Sequence, residues 1–208
     1  MGGRYKRIRK RVKSRPNTVL YDYKVEVLAE LESLSEQGLI TLYYADESHV
    51  CSEGYVPYGW QFPEEDVLIC AQKGFRLNCW AMISRQNQCF WQTTVQNIDS
   101  QFIFEQFDNL SLSIHQPTYV VLDNARIHHA KIIQERINIW QRRGLYIFFL
   151  PTYSPHLNIA ETLWRQLKTG WLNTTDYCDR ETLAYAVNRC LANVGNHLNI
   201  NFSPFNAN

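Results

Sequence analysis

The sequence lacks the features that would indicate several large classes of protein. Its six cysteines include no C-x-x-C pair, and no ligand cluster follows His49 and Cys51, so a structural zinc site is not expected. No unbroken apolar run approaches the length of a membrane-spanning helix, and no signal peptide precedes the cysteines. We therefore expect free, buried thiols in a reducing cytoplasm and no membrane partner.

Motifs of several common enzyme classes are also missing. The sequence contains neither a P-loop nor a G-x-G-x-x-G turn, and no order of Ser, His and Asp suggests nucleophilic catalysis. It shows no internal repeat and no interior low-complexity linker. With 208 residues, of which 45% are hydrophobic, the chain is long enough for one well-packed domain and short for two.

The net charge of +1 conceals a strong asymmetry along the chain. A basic arm near the amino terminus has no acidic residue and contains eight basic ones: Arg4, Lys6, Arg7, Arg9, Lys10, Arg11, Lys13 and Arg15. Without these eight, the remaining 13 basic residues face 20 acidic ones, which is a net charge of −7. A basic arm on an acidic body indicates contact with a polyanion, and a solvated tail is the alternative.

Hydrophobic periodicity predicts a mixture of strands and helices. The strand patterns cover residues 39–45, 67–71, 75–83, 89–95, 119–122 and 145–150. The helical patterns cover residues 20–37, 99–113, 129–143, a segment opened by Glu161, and 179–194. Gly38 and Gly144 are expected to end two of these helices, and strand 145–150 is apolar enough to be buried on both faces. This order of elements fits a mixed sheet flanked by helices.

Three acidic residues occur in contexts that suit a metal ligand. Asp46 and Asp123 each end a strand-like apolar run, and Glu161 opens a helix after a proline-rich turn. Strands that stop on a carboxylate place negative charge at the rim of a sheet. Three such carboxylates repel one another unless cations lie between them, and that arrangement suits metal-assisted phosphodiester chemistry.

These acids also have simpler explanations. Asp46 could be a solvated residue at a strand end, and Glu47 competes with it because Glu47 is adjacent and acidic. Successive residues of a strand face opposite sides of a sheet, so Asp46 and Glu47 cannot both line one site. Glu161 suits the first turn of a helix, where Asn158 could form a capping box with it.

The segments around these acids resemble the DDE transposases of the Tc/mariner superfamily, and the bacterial insertion-sequence 630 group is the most similar branch. The motifs that carry the resemblance are DES at 46–48, LDNA at 122–125 followed by His128, and LPTYSPHLN at 150–158 followed by Glu161, Trp164 and Lys168. The resemblance covers residues 4–195, and its third motif is the most specific. The chain departs from the family at Ile159, where proline is usual.

The resemblance implies an α/β architecture with the RNase H-like fold, in which helices flank both faces of a mixed five-stranded sheet. We expect a basic arm and linking helix over residues 1–38, the catalytic domain over 39–195, and a polar, poorly ordered tail over 196–208.

The resemblance also assigns roles to individual residues. Asp46, Asp123 and Glu161 are expected to bind two Mg²⁺ ions, for which Mn²⁺ could substitute, and to catalyse phosphodiester cleavage. The residues expected to support these ligands are Asn124, His128 and Asn158. His128 would orient a carboxylate or a phosphate, although a surface histidine at a helix start is the alternative.

These roles predict a domain that nicks transposon ends and transfers the strands into target DNA, typically at a TA dinucleotide. The expected partners are double-stranded DNA, contacted by Lys168 and the basic arm, and a second copy of the chain. Family members carry helix-turn-helix modules ahead of this region, so we expect either a separate subunit or frame that supplies them, or a truncated element. The protein would act in the cytoplasm and associate with the nucleoid.

Three other functions stay open from the sequence. A catalytically silent remnant would keep the fold and the affinity for DNA but would cut nothing. An RNase H-like nuclease that is not a transposase would cut RNA–DNA hybrids. Glycoside hydrolysis by two carboxylates fits least well, because it needs neither a metal nor a basic arm.

The basic arm leads to a prediction about salt. If about six of its cations engage phosphates, the slope of log affinity against log salt should be about −5, from roughly −0.9 for each neutralised phosphate. Removal of residues 1–15 should flatten this slope and weaken binding about equally for all duplexes, because phosphate contacts carry no sequence information. Titrations of transposon-end and scrambled duplexes across a salt series measure both effects. A large preference for the end sequence that disappears with the arm would contradict the prediction.

Overall fold

A mixed five-stranded sheet forms the centre of the molecule. The computed structural model describes residues 18–52, 63, 74–152 and 154–205. In chain order the strands are β1 (Thr41–Cys51), β2 (Arg76–Ile83), β3 (Cys89–Thr94), β4 (Thr118–Leu122) and β5 (Leu145–Phe149). They lie in the order β3-β2-β1-β4-β5, with β1, β4 and β5 parallel and β2 antiparallel to both of its neighbours. The predicted strand 67–71 lies outside the described residues.

The α-helices in the described ranges are α1 (Thr18–Glu36), α2 (Ser100–Ser113), α3 (Lys131–Arg142), α4 (Ala160–Gln166) and α5 (Arg180–Ala192). Helix α4 continues directly into a π-helical turn, Leu167–Trp171. Gly38 and Gly144 follow α1 and α3 with left-handed φ angles of 73° and 91°, which glycine adopts at least cost. Over the part of the chain that is described, no helix has the length and apolar character needed to cross a membrane.

Helices cover both faces of the sheet, and the residues of β1 alternate between two hydrophobic clusters. Leu42 and Tyr44 lie in the cluster that includes α1, α4 and α5. Tyr43 and Ala45 lie in the cluster that includes α2 and α3. This alternation follows from the two-residue period of a strand. The expected mixed five-stranded sheet with helices on both faces is confirmed.

Strand β1 is longer than predicted, and Asp46 lies within it rather than at its end. The reason is the pairing of the strand. β1 pairs with β4 only as far as Tyr44 and Val121, whereas its pairing with β2 continues from Tyr44 to Cys51. Beyond Tyr44, β1 and β4 are no longer paired, and Asp46 lies just past the last parallel pair.

Strand β5 differs from the prediction in its burial. Its continuous apolar sequence predicts a strand buried on both faces, yet residues 146–149 are only half-buried. The cause is its position, because β5 forms one edge of the sheet. Tyr146 is partly covered by the ring of Tyr119 from β4, which stacks on it with centroids 4.8 Å apart.

The prediction of a poorly ordered tail does not hold for residues 196–205. Ile200 is buried, and its backbone N–H donates to Asn87 Oδ1 in the β2–β3 turn at 2.8 Å. Arg85 donates from Nη1 to the backbone oxygen of Ser203 at 2.7 Å. The tail therefore covers the end of the β2–β3 hairpin.

The cysteines within the described ranges are free thiols. Cys79 and Cys190 are buried and the other three are half-buried. Burial raises the pKa of Cys79 and of Cys89 to about 12. Because only the thiolate is a good nucleophile or metal ligand, these two thiols are inert at neutral pH.

A matched pair of leucines tests the core. Leu145, at the start of β5, is fully buried, whereas Leu112 on α2 is 68% exposed. Leu145→Ala should lower the free energy of unfolding by about 2–5 kcal/mol, since the truncation leaves a cavity. Leu112→Ala should change it by less than about 0.5 kcal/mol. Urea denaturation of both variants measures the difference, and equal effects would contradict the burial described here.

Candidate active site

The three predicted acids line one cavity of about 320 Å³. Asp46 comes from β1, Asp123 follows the end of β4, and Glu161 lies in the first turn of α4. In the sequence, 76 residues separate Asp46 from Asp123, and 37 separate Asp123 from Glu161. The rest of the lining is Asn124, Ala125, Leu150, Pro151, Thr152, Ser154, Pro155 and Asn158. The fold thus brings together the acids that the sequence singled out.

The environment of Asp46 disfavours its negative charge. Burial raises the pKa of its carboxyl group to about 8, and the nearby Glu161, Glu47 and Asp123 add to this effect. Among the residues that the structure describes, no basic side chain forms an ion pair with Asp46 or with Glu161. Asp46 therefore keeps its proton at neutral pH unless a positive charge enters the cavity.

Asp123 is stabilised in its charged form. Its Oδ1 lies 3.1 Å from His128 Nδ1 and accepts the backbone N–H of Ala125 at 2.9 Å. The hydrogen bond from His128 lowers the pKa of Asp123, and the bond from Ala125 acts in the same direction. Two carboxylates of one cavity thus have opposite pKa shifts.

His128 is buried in a 3₁₀ turn, Arg126–His129, and both of its ring nitrogens have acidic partners. Nδ1 faces Asp123, and Nε2 lies 2.9 Å from Glu47 Oε1. Burial by itself lowers the pKa of His128, but the hydrogen bonds to Asp123 and Glu47 outweigh it and raise the pKa to about 10. The ring is therefore an imidazolium at neutral pH and donates from both nitrogens.

The predicted capping box between Asn158 and Glu161 is wrong. Helix α4 begins at Ala160 without that box, and Asn158 instead donates from Nδ2 to the backbone oxygen of Ala45 at 3.1 Å. Asn158 Oδ1 accepts the backbone N–H of Ala160, also at 3.1 Å. Asn158 thus connects the start of α4 to β1 next to Asp46, and the Glu161 carboxylate stays available to the cavity.

Asn124 links the ends of two parallel strands. Its Nδ2 donates to the backbone oxygen of Leu150, which directly follows β5. Its Oδ1 lies 3.1 Å from His129 Nε2, and the His129 ring lies against Phe149 with centroids 4.4 Å apart. These contacts hold the loop that begins with Asp123 against the loop after β5.

Lys168 lies beside the site. Its Nζ donates to Ser48 Oγ at 2.7 Å, and Ser48 is two residues from Asp46 on β1. Lys168 belongs to the π-helical turn that follows α4, and Leu157 belongs to a separate 3₁₀ turn before it. The eight basic residues of the arm lie outside the described residues.

Helix α1 supports the loop after β5, which the sequence analysis did not anticipate. Lys24 donates from Nζ to the backbone oxygen of Phe149 at 2.6 Å. The Tyr21 hydroxyl lies 3.0 Å from His156 Nε2. Contacts between residues more than a hundred positions apart leave no signal in a local pattern. The proximity of Glu47 to His128 was missed for the same reason.

The three carboxylates of the cavity suit a divalent cation that takes only some of its ligands from the protein. Within the described ranges, no group of three or more His, Cys, Asp or Glu side chains is placed to hold one metal ion. Mg²⁺ does not require such a cage, since it usually keeps several waters and binds one or two carboxylates together with substrate phosphates. Three carboxylates on one cavity, two of them without a basic partner, suit such a site.

The sequence matches the DDE superfamily endonuclease family over residues 41–184, which is more than half of the chain. The chain therefore belongs to the DDE superfamily endonucleases. The matched region contains Asp46, Asp123 and Glu161. No curated protein matches the sequence.

Solved structures confirm the fold. The Mos1 transposase paired-end complex with left transposon end is similar to this chain with a TM-score of 0.62 at 13% identity, over 91% of this chain and 60% of that one. A pre-cleavage Mos1 transpososome is similar with a TM-score of 0.50 at 12% identity, over 95% of this chain and 69% of that one. The chain thus spans about 60% of the length of the first of these proteins. The likeness shows the RNase H-like fold that the sequence analysis expected.

The raised pKa of Asp46 predicts how stability depends on pH without metal. An aspartate in an unfolded chain has a pKa of about 3.9. Between that value and about 8, the folded protein keeps a proton that the unfolded chain loses, so the free energy of unfolding falls as pH rises. Asp46→Asn cannot ionise and should escape this fall. It should match wild type near pH 4 and exceed it by more than about 1 kcal/mol near pH 9.

Urea denaturation in EDTA at the two pH values measures this difference. Asp22→Asn, on the exposed side of α1, is the matched control and should follow wild type at both pH values. If Asp46→Asn loses stability with pH as steeply as wild type does, the pKa of Asp46 is not raised in the folded protein.

Proposed function

We propose that this chain is the catalytic domain of a transposase that cleaves DNA strands at transposon ends and transfers them to target DNA with the help of divalent cations. The observation that carries the proposal is the shared cavity of Asp46, Asp123 and Glu161, in which burial and mutual repulsion raise the pKa of Asp46 and no described basic residue pairs with Asp46 or Glu161. Such a cluster has the charge that phosphodiester chemistry requires from its metal ligands.

Asp46, Asp123 and Glu161 would hold two Mg²⁺ ions, and Mn²⁺ could substitute. When bound, the ions would supply the Lewis acidity that activates the attacking oxygen and stabilises the leaving 3′-oxygen. The three side chains come from a strand, a loop and a helix that are held together by Asn158 and Asn124. The protein would therefore contribute position and charge, and no residue would form a covalent intermediate.

Lys168 would contact the DNA backbone near the reacting phosphate. Its Nζ is held on Ser48, two residues along β1 from Asp46, and the side chain is only half-buried. Lys168 forms no ion pair with a described acid, so its ammonium group could bind a phosphate oxygen. The basic arm would add contacts to phosphates that do not depend on the sequence.

The motifs at 46–48, 122–125 and 150–158 support membership of the insertion-sequence 630 group. Double-stranded DNA, both transposon end and target, would be the substrate. A second copy of the chain would hold the second end, and helix-turn-helix modules from another subunit or frame would read the end sequence. Such a protein would be found at the nucleoid.

Charge-removing substitutions test the proposal. Asp123→Asn and Glu161→Gln keep the shape of the side chain but lose the charge that holds a cation, so both should abolish Mg²⁺-dependent cleavage of a transposon-end duplex. Folding and affinity for DNA should stay nearly unchanged, as measured by circular dichroism and by binding to the same duplex. Asp22→Asn removes an exposed carboxylate that does not line the cavity, so it is the matched control and should cut at the wild-type rate.

Three outcomes would redirect the assignment. If wild type cuts no duplex in Mg²⁺ or Mn²⁺ while it still binds DNA, the chain is a silent remnant. If it cuts an RNA–DNA hybrid in preference to duplex DNA, it is a nuclease of another kind. If Asp123→Asn cuts as fast as wild type, the metal mechanism is wrong.

A further inference from the structure

Glu47 is acidic and adjacent to Asp46, but it does not line the cavity. It follows Asp46 on β1 and faces the side of the sheet covered by α2 and α3, because successive strand residues point in opposite directions. Its side chain is only 21% exposed, and its Oε1 accepts a hydrogen bond from His128 Nε2 at 2.9 Å. A carboxylate in this position has a partner that is itself in contact with Asp123.

His128 completes a connection between two separate segments. Its side chain is 1% exposed, and Nδ1 lies 3.1 Å from the Oδ1 atom and 3.3 Å from the backbone oxygen of Asp123. A ring with a hydrogen bond at each nitrogen cannot rotate without losing one of them. The Asp123 side chain is 51% exposed, so without His128 only the bond from the Ala125 backbone N–H would limit its rotamer.

The contact between Glu47 and His128 lies where β1 and β4 are no longer paired. Strands β1 and β4 stop pairing after Tyr44 and Val121, so no backbone hydrogen bonds relate Asp46 to Asp123. The side chains of Glu47 and His128 bridge this gap from β1 to the loop after β4. Each aspartate lies two residues beyond the last backbone pair, and the Glu47–His128 contact joins their two segments there.

We propose that Glu47 and His128 are positioning residues that hold the Asp123 carboxylate in place for metal binding. The inference rests on the proposed function, because it assumes that Asp123 binds a divalent cation. Hydrogen-bonded partners behind a metal ligand limit its orientation, and their loss typically weakens metal affinity or activity about 10–100-fold. Glu47 would contact neither metal nor DNA, and it would act through His128.

Mn²⁺ binding to the full chain, measured by calorimetry, tests this role without relying on turnover. Glu47→Ala and His128→Ala should each weaken Mn²⁺ binding about 10–100-fold. The double variant should be no weaker than His128→Ala alone, because the two residues act through one chain of bonds. Glu47→Gln should bind Mn²⁺ more tightly than Glu47→Ala, since its amide oxygen still accepts the bond from His128.

Two matched variants control for the loss of an acid and of a histidine. Glu135 forms an exposed ion pair with Lys131 on α3, and His115 is exposed in the loop between α2 and β4. Glu135→Ala and His115→Ala should bind Mn²⁺ as wild type does. A merely structural role for Glu47 and His128 would lower the urea midpoint of their variants but leave the Mn²⁺ affinity of the folded protein unchanged.

The outcomes separate this inference from the proposed function. If wild type binds Mn²⁺ and cuts DNA while folded Glu47→Ala and His128→Ala bind Mn²⁺ as wild type does, the positioning role is wrong and the proposed function stands. If wild type neither binds Mn²⁺ nor cuts DNA, the proposed function fails, and the positioning role fails with it.

Discussion

The burial of Asp46 among other carboxylates is the constraint on which the rest of the site depends. Asp46 is partly removed from water and lies near Glu161, Glu47 and Asp123, and its pKa is raised accordingly. An arrangement of this kind opposes folding, so it persists only where the surrounding structure holds it. Two hydrophobic clusters, one on each face of the sheet, supply that structure. A cation in the cavity would stabilise the charged form of Asp46 and so offset the cost of ionising it.

The supports of the three acids differ from one another, and each follows from the local geometry. Asp46 lies in β1, and the preceding residue, Ala45, accepts a hydrogen bond from Asn158. Asp123 lies in a loop, and it relies on His128 and on the backbone of Ala125. Glu161 lies in the first turn of α4, and Asn158 connects the start of that helix to β1. A loop residue requires more hydrogen bonds than a strand or helix residue to hold one position, since its backbone is not fixed by a ladder.

The sequence predicted most of the secondary structure where one pattern was sufficient. Helices α2 and α5 and strands β2 and β3 lie within a few residues of the predicted bounds, because hydrophobic periodicity and turn residues are local properties. Predictions that depended on which strands or residues are adjacent in space were less successful. The length of β1 was set by its pairing with β2, and the burial of β5 was set by its position at the edge of the sheet. The capping box at Asn158 is absent because Asn158 Oδ1 accepts the backbone N–H of Ala160.

The sequence by itself determined which acidic residues form the candidate site. The motifs around Asp46, Asp123 and Glu161 are contiguous stretches, so they can be recognised without knowledge of the fold. Only the tertiary structure decided how they meet. The bond of His128 to Glu47 joins residues 81 positions apart, and the bond of Asn158 to Ala45 joins residues 113 positions apart. Both pairs involve the part of β1 where its pairing with β4 stops, and the place where that pairing stops depends on strand order and register. Order and register arise from the packing of the whole chain, which no single segment encodes.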